Sequence, residues 1–291
     1  MIPVSSSNID YITWVTSAID SLVASGSTLF LSAGTQILTA LGVIMLVIYG
    51  LKWAAHSGAR HHAEFDFPAL IHFFGLFLVA EALMRYYAAP LPWTSSTVAS
   101  LFPDTGRYFA GTMDLSVLNL LLAKIGAILA NTEHPSFWDP EMFFAYCSMT
   151  LDLLLIQGLL FGLNILAFVW IGMLQLFGPL FIPWLIVPRL SFLFWNWLQS
   201  LLQYSFYRVV ASGITYIWAT VFVRFMDNVV HGDYSLAHLF LILVPLGMLN
   251  IGLVFCVFKV SSFVSDLFRG GSGAGGGLGG AVAGVVRGAF R

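Results

Sequence analysis

Charged side chains are scarce in this sequence, and their scarcity excludes whole classes of protein. Only 9% of its 291 residues are charged and 59% are hydrophobic, whereas soluble domains are about a quarter charged. So few polar side chains cannot cover the surface of a soluble globule, which excludes a soluble enzyme. A disordered chain is excluded too, because disorder needs low hydrophobicity and high net charge. The net charge of −2 leaves no basic surplus to hold a nucleic acid by its phosphates.

Cysteine and the common catalytic motifs are also scarce. The two cysteines, Cys147 and Cys256, lie in apolar stretches, where we expect small buried hydrophobic side chains rather than a disulfide or redox pair. The sequence contains neither Gly-x-Ser-x-Gly nor His-Glu-x-x-His, the patterns that supply the nucleophile or metal ligands of many hydrolases. A hydrolase is therefore not expected.

Histidine occurs seven times, but its spacing does not predict a cofactor. One group of ionisable side chains falls between the first two apolar stretches: His56, His61, His62 and Glu64. It lacks the helical histidine pair and third ligand of a zinc hydrolase, so a polar loop is the preferred interpretation and a metal site the alternative. His72 and His238 are isolated, whereas haem needs histidines that face each other. We therefore expect no metal and no cofactor.

Long uncharged runs dominate the rest of the sequence. The mean hydropathy is +0.88, and a membrane span needs about 20 mostly apolar residues. Segments of that kind occur in five places: the second half of 21–51, then 67–84, 142–188, 190–223 and 234–258. The sequence therefore predicts an all-α polytopic membrane protein with about five transmembrane helices. Residues 142–188 allow two alternatives, one helix that extends beyond the bilayer or a hairpin that turns at Gly178-Pro179.

The regions outside the spans differ in composition. Residues 9–23 alternate apolar and polar side chains at helical spacing, which predicts an amphipathic helix at a membrane interface. No Lys or Arg precedes Lys52, so a cleavable signal peptide is not expected. Residues 85–141 are rich in proline and include an apolar helix candidate near 115–130. Residues 270–291 are rich in glycine, which indicates a flexible tail or a segment that orders on a partner.

These features predict an order of segments along the chain. They are an N-terminal amphipathic segment, two transmembrane helices with a short loop, a central region, a three-span core and a cytoplasmic tail: 1–28, 29–84, 85–141, 142–258 and 259–291. Lys and Arg counts do not separate five spans with an outside N-terminus from six spans with an inside one. Both alternatives put the C-terminus in the cytoplasm.

A few residues inside the predicted spans are unusual for a bilayer. Burying a charge at the centre of a span costs roughly 2.5 to 3.5 kcal/mol on insertion scales, so Glu81, Asp152 and Arg208 are expected to face protein or water. They are candidates for pairing between helices, for lining an aqueous path or for a proton relay. Glu81 also lies four residues before Arg85, so these two can pair on one helix. Gly158 and Gly162 have the spacing that lets two membrane helices approach closely.

The most informative stretch begins at Gly178. It reads Gly-Pro-Leu-Phe-Ile, then a Pro-Arg turn, then a Trp-Leu helix that ends in a polar patch with tyrosine. In this order and spacing it resembles the TrbL family of type IV secretion systems, the sixth component of the VirB set. The residues that match the pattern are Gly178, Pro179, Pro188, Arg189, Trp197, Leu198 and Tyr204. The resemblance covers about 153–280. Pro183 departs from the pattern and leaves open whether the segment after Gly178 is one continuous helix.

The resemblance implies a location and a role. Members of this family are inner-membrane proteins with about five spans, a periplasmic N-terminus, a large periplasmic central region and a cytoplasmic C-terminus. They are implied to form a homo-oligomeric, pentameric ring at the base of the secretion stalk, where they contact DNA or protein in transit and support pilus assembly. The implied partners are inner-membrane ATPases, periplasmic stalk and pilus subunits, and membrane lipids. Energy comes from the ATPases, so the family implies neither catalysis nor a cofactor.

Two functions from other classes remain open at this stage. A self-contained permease would need a substrate site at the bilayer midplane, and transporters often show two related halves, which this sequence lacks. A membrane scaffold for an envelope enzyme would purify with that enzyme rather than with secretion ATPases. The nature of the cargo does not follow from these residues.

Overall fold

The computed structural model describes residues 11–59, 67–113, 116–132, 135, 138–230 and 235–269. That part of the chain contains seven α-helices and no β-strand. Their bounds are α1 Tyr11–Ala59, α2 Phe67–Arg85, α3 Leu101–Gly111, α4 Ser116–Asn131, α5 Pro140–Phe181, α6 Ser191–Phe225 and α7 Leu236–Arg269. Five of them, α1, α2, α5, α6 and α7, are long and apolar enough to cross a membrane. The predicted all-α polytopic fold with about five spans is confirmed.

Helix α1 is longer than the sequence predicted. The separate amphipathic helix expected at 9–23 is, from Tyr11 onwards, the first part of a continuous helix that ends at Ala59. No proline interrupts this stretch, and polar residues on one face do not end a helix whose backbone bonds remain intact. At 1.5 Å per residue its 49 residues extend about 74 Å, more than twice the hydrocarbon thickness.

Helix α5 decides between the two alternatives for residues 142–188. It is a single α-helix over Pro140–Phe181 and continues as a 3-10 turn over Ile182–Ile186. The hairpin alternative is therefore wrong, and the single extended helix is confirmed. The α-helix ends just before Pro183, which occupies the first turn of the 3-10 segment. A missing amide hydrogen costs little in the first turn of a helix, since that donor has no partner within the helix.

The last two spans also run further than predicted. Helix α6 ends at Phe225 and is followed by a short π-helical turn, Met226–Val230. Helix α7 continues beyond Phe258 to Arg269. The extension over residues 259–269 mixes polar and apolar side chains, with Val260 and Val264 buried, so the helix continues past the end of the uninterrupted apolar run. The glycines that start at residue 270 come directly after it.

The chain divides into two compact units that both draw on distant stretches of sequence. Unit 1 comprises Met1–Ser17, Gly106–Phe168 and Ser205–Gly270. Its hydrophobic core joins α4 to the first part of α5, the second part of α6 and α7, through the fully buried side chains Leu121, Ile156, Leu160, Phe222 and Leu253. One buried polar contact crosses this core, where the Asn164 amide donates to the Thr215 hydroxyl at 2.8 Å.

Unit 2 comprises Ala18–Thr105, Val169–Tyr204 and Gly271–Arg291. Its core brings together α1, α2, the 3-10 turn and the start of α6, with fully buried side chains at Leu38, Ala80, Tyr87, Ile182 and Leu201. This unit contains all seven residues that carry the family resemblance. The five segments predicted from the sequence remain predictions, since each compact unit takes residues from several of them.

Candidate functional site

The end of α5 in unit 2 carries a backbone carbonyl that the helix itself does not satisfy. Pro179 lies inside α5 and has no amide hydrogen, so the carbonyl of Gln175, four residues earlier, loses its normal donor. The hydroxyl of Tyr87 donates a hydrogen bond to this carbonyl. A residue from outside the helix therefore replaces the donor that proline removes.

Tyr87 suits this role because it is buried and held by the turn that follows α2. Its side chain is 1% exposed, and its backbone amide donates to the Met84 carbonyl at 3.2 Å. Burial raises the pKa of its phenol above the ordinary value of 10.0. The hydroxyl consequently keeps the proton that it donates to the Gln175 carbonyl.

Two further hydrogen bonds tie the same turn of α5 to its neighbours in unit 2. The indole Nε1 of Trp197, on α6, donates to the Leu174 carbonyl at 2.9 Å. The side-chain amide of Gln175 donates to the Ala99 carbonyl at 3.0 Å. Three segments, the loop after α2, the end of α5 and the start of α6, are thus joined by hydrogen bonds. We call this set of contacts the α5 junction: Tyr87, Ala99, Leu174, Gln175, Gly178, Pro179 and Trp197.

The glycines at the α5 junction permit this close packing. A Cβ atom at Gly178 would collide with the Tyr87 hydroxyl and would lie 2.6 Å from Cζ2 of Trp197. A Cβ atom at Gly34, on α1, would collide with the Pro179 carbonyl oxygen. Only glycine allows such close approach, so these positions have a steric reason for their residue type.

The structure assigns each matched family position a place in unit 2. Gly178, Pro179 and Trp197 meet at the α5 junction, and half-buried Leu198 packs against the same core. Tyr204 lies further along α6 and stacks on Trp170 with ring centroids 5.5 Å apart. Pro188 and Arg189 are exposed in the turn before α6, where the Ser191 hydroxyl donates to the Pro188 carbonyl at 3.2 Å.

The charged residues predicted inside spans occupy different environments. Asp152, in unit 1, is half-buried on α5, and its backbone carbonyl accepts a 3.3 Å hydrogen bond from the Asn250 side chain on α7. Arg208, also in unit 1, places its guanidinium 4.2 Å from the centre of the Phe168 ring, a cation–π contact between α6 and α5. Glu81 is exposed on α2 in unit 2.

The structure does not bring Asp152 and Arg208 together. Arg208 lies over Phe168, which is separated from Asp152 by about 24 Å along α5 at the usual rise per residue. Each instead contacts its own neighbour across a helix interface. A direct Asp152–Arg208 pair is therefore excluded within one chain. The predicted Glu81–Arg85 pair stays a prediction, since both side chains are exposed.

Gly158 and Gly162 do not mediate close helix packing within this chain. Both are exposed, and a Cβ atom at either position would meet nothing within 4 Å among the described residues. A role for the pair in close approach therefore requires another chain, and it stays a prediction.

The histidine and cysteine predictions have mixed outcomes. His61, His62 and Glu64 lie outside the described residues, so the loop around them stays a prediction. Among the residues that the structure does describe, no three His, Cys, Asp or Glu side chains are grouped to hold a metal. Cys147 is exposed and Cys256 half-exposed, so the expectation that both are buried was wrong. An apolar stretch of a membrane helix can face outward from its own chain, which hydropathy does not reveal.

Sequence reasoning missed several contacts that the fold creates. Lys124, on α4, forms an ion pair with Asp227 in the π-helical turn of unit 1. Tyr87 and Gln175 were missed as well. Pro179 inside a helix indicates that the carbonyl of Gln175 needs a new donor, but nothing in the sequence identifies Tyr87 as that donor.

A second unusual surface lies on α1 and was also missed. Hydroxyl residues recur at alternating spacings of four and three, and all are exposed: Ser21, Ser25, Thr28, Ser32, Thr35 and Thr39. Gln36 lies beside Thr35 and is exposed as well, near the middle of the candidate span Trp14–Ala55. We call these seven residues the α1 polar face. The hydroxyls donate to carbonyls of their own helix, as Thr35 does to Leu31 at 2.8 Å.

Comparison with known proteins places these observations in a family. The sequence pattern described as TrbL/VirB6 plasmid conjugal transfer protein matches residues 42–260, about three quarters of the chain. No curated protein matches the sequence. The matched region includes the α5 junction and all or part of each of the five candidate spans. The chain therefore belongs to the TrbL/VirB6 plasmid conjugal transfer family and is a multi-pass membrane component of a conjugal transfer or type IV secretion system.

Proposed function

We propose that this protein is a structural, channel-forming subunit of the inner-membrane complex of a type IV secretion system. In this role it supports the passage of DNA or protein and the assembly of the stalk and pilus. Copies of the chain surround the path as a homo-oligomeric ring, with the N-terminus in the periplasm and the C-terminus in the cytoplasm. Partner ATPases supply the energy, so the chain needs no catalytic site of its own. Family membership supports this proposal.

The observation that carries the channel role is the α1 polar face. The side-chain amide of Gln36 makes no hydrogen bond within the described part of the chain and lies near the middle of a candidate span. Moving an amide from water to hydrocarbon without a partner costs about 4–8 kcal/mol in alkane-like surroundings. The hydroxyls avoid most of that cost by bonding to helix carbonyls, but the Gln36 amide does not. This face is therefore unsuited to lipid.

Helix α7 shows what a lipid-facing surface looks like in the same chain. Over residues 237–258 its exposed side chains are all apolar, and six of them recur at alternating spacings of three and four: Leu241, Val244, Met248, Ile251, Phe255 and Phe258. The exposed hydroxyls of α1 follow the same periodicity with the opposite chemistry. We infer that α7 faces lipid tails and that the α1 polar face borders the aqueous path, with each copy in the ring presenting the same face.

Cysteine labelling tests this inference. Cys147 and Cys256 are first replaced by alanine, and Gln36→Cys or Thr35→Cys is then introduced into that background. A membrane-impermeant thiol reagent should modify both positions in the assembled system and reduce transfer, because water reaches the path. Ile251→Cys is the matched control; it is 59% exposed but apolar and should not react. An unreactive position 36, or transfer that is unaffected by complete modification, would refute the channel role of α1.

The region 85–141 is proposed as the surface that meets the periplasmic stalk subunits. It includes the turn after α2, helix α3 and helix α4 between the second and third spans. Deleting it should abolish export even when the truncated protein still inserts into the membrane. Export that persists in the inserted deletion variant would show that the stalk contacts lie elsewhere.

Asp152 is proposed to contribute to assembly rather than to transfer itself. It is half-buried, and its carboxylate lies 3.8 Å from where a Cβ atom of Gly247 would be. Asp152→Leu should lower the yield of the oligomer, whereas an unchanged oligomer yield would count against this role.

Partner identity separates this function from the permease and the scaffold. A C-terminally tagged copy, purified from gently solubilised membranes, should retain secretion ATPases and stalk proteins. A protein that purifies alone and transports a solute in liposomes would indicate a permease. Recovery with envelope enzymes instead would indicate a scaffold.

A further inference from the structure

The segment after α2 is unusually poor in charge for a connection outside a span. No charged residue occurs over residues 86–103, between Arg85 and Asp104. Connections exposed to water normally carry charged side chains, whereas this one combines tyrosine, proline, leucine and tryptophan with uncharged serine and threonine. Such a composition is typical of the boundary between lipid headgroups and acyl chains.

The middle of this segment is a tight hairpin that presents one tryptophan. Pro90 and Thr97 form an antiparallel bridge, and the Leu91 amide donates to the Ser96 carbonyl at 3.0 Å. The Thr94 hydroxyl also donates to the Ser96 carbonyl, at 3.2 Å. Trp93 lies at the tip and is 93% exposed. These bonds and two prolines order the hairpin in advance, which lowers the entropy lost when its tip is bound.

The hairpin is held close to the end of a span. Helix α2 has 19 residues and so extends about 28 Å, close to the hydrocarbon thickness of about 30 Å. Its last residue, Arg85, therefore lies at the edge of the hydrocarbon. The Val98 amide bonds back to the Tyr86 carbonyl at 3.0 Å, so the hairpin starts and finishes at this edge. Trp93 is three residues beyond Pro90 and so lies within about 10 Å of that residue.

We propose that the Trp93 hairpin is a membrane anchor whose tip inserts at the headgroup–acyl boundary beside α2. The partner is the lipid surface itself, because the exposed tip follows directly on a helix that is long and apolar enough to cross the bilayer. Indole favours this boundary, since its ring is apolar and its N–H finds polar partners there. The adjacent Arg85 can bind lipid phosphates. Since the hairpin is hydrogen-bonded to the residues after α2, the anchor fixes the depth of α2 in the bilayer.

Depth-resolved fluorescence tests the anchor on the whole chain. In the Cys147→Ala, Cys256→Ala background, Trp93→Cys is labelled with an environment-sensitive fluorophore and the protein is reconstituted in phosphatidylcholine–phosphatidylglycerol vesicles. Because Trp93 is almost fully exposed, the substitution should not disturb folding. Ile251→Cys, near the middle of the candidate span Ala237–Phe268, provides the deep reference. The free labelled cysteine in buffer provides the aqueous reference.

The anchor predicts an intermediate result for position 93. Its emission should shift to the blue of the aqueous reference, and lipids spin-labelled near the headgroup should quench it more than lipids labelled at mid-chain. Position 251 should show the reverse order of quenching. Emission at the aqueous wavelength with quenching by iodide would overturn the proposal. So would a photoreactive residue at position 93 that crosslinks in cells to a protein rather than to lipid.

Discussion

The carbonyl of Gln175 gives the sharpest test of the α5 junction. Pro179 removes the helix donor to that carbonyl, and the Tyr87 hydroxyl replaces it. Tyr87→Phe deletes the replacement and leaves a buried carbonyl without a donor. We expect a loss of about 1–3 kcal/mol in the free energy of unfolding, the usual penalty for an unsatisfied buried polar group.

A second substitution should rescue most of this loss. Pro179→Ala restores a backbone amide four residues after Gln175, in register to bond its carbonyl. In that background Tyr87→Phe should cost less than about 1 kcal/mol, since the carbonyl is no longer left without a donor. The two substitutions should therefore couple by on the order of 1–2 kcal/mol, as residues that share one partner do.

The measurement is unfolding of the purified protein in mixed micelles, followed by the loss of helical circular dichroism as the SDS fraction rises. Tyr86→Phe is the matched control, because it removes a hydroxyl from the neighbouring, half-buried tyrosine without touching Gln175. Tyr87→Phe could instead unfold at the same SDS fraction as the wild type, or lower the free energy of unfolding equally with proline or alanine at 179. Either result would show that the Tyr87 hydroxyl does not replace the donor that Pro179 lacks.

Three further predictions follow from the described contacts. Gly178→Ala should lower the free energy of unfolding by about 1–3 kcal/mol through overpacking, whereas Gly158→Ala, which meets open space, should raise it by up to about 1 kcal/mol. Lys124→Gln should lower the free energy of unfolding by at most about 1 kcal/mol in low salt and by less in high salt, because the ion pair with Asp227 is partly exposed. The double variant Lys124→Asp, Asp227→Lys restores an ion pair and should regain the lost stability. Burial raises the pKa of Tyr87 above 10.0 in the folded protein, so the phenol of the unfolded chain ionises at a lower pH. The free energy of unfolding should therefore fall as pH rises past 10. The decrease due to Tyr87 should be absent in Tyr87→Phe.

Hydropathy predicted the membrane spans, but it predicted few of the contacts between helices. The spans were found because a run of apolar residues is required wherever a helix crosses lipid. Pro183 left open whether the segment after Gly178 is one helix, and the α-helix ends at Phe181, two residues before it. Helix α7 was predicted to end too early, because the residues after Phe258 mix polar and apolar side chains and still form a helix.

Contacts between residues that are distant in sequence could not be predicted from the sequence. Tyr87 and Gln175 are far apart in sequence, and so are Lys124 and Asp227. The prediction for Cys147 was wrong for a related reason. Periodicity separates buried from outward-facing positions only when the outward side meets water and is polar, and in a bilayer both sides are apolar. Gly178 was singled out by its resemblance to a family, and the structure supplies the steric reason for it.

The length of α5 has a consequence for its surroundings. Its 42 residues extend about 63 Å, and even a 40° tilt, the upper end of the usual range, lets a bilayer cover only about 39 Å of a helix. Roughly 24 Å of α5 therefore lies outside the hydrocarbon, where its side chains meet water or protein instead of lipid tails.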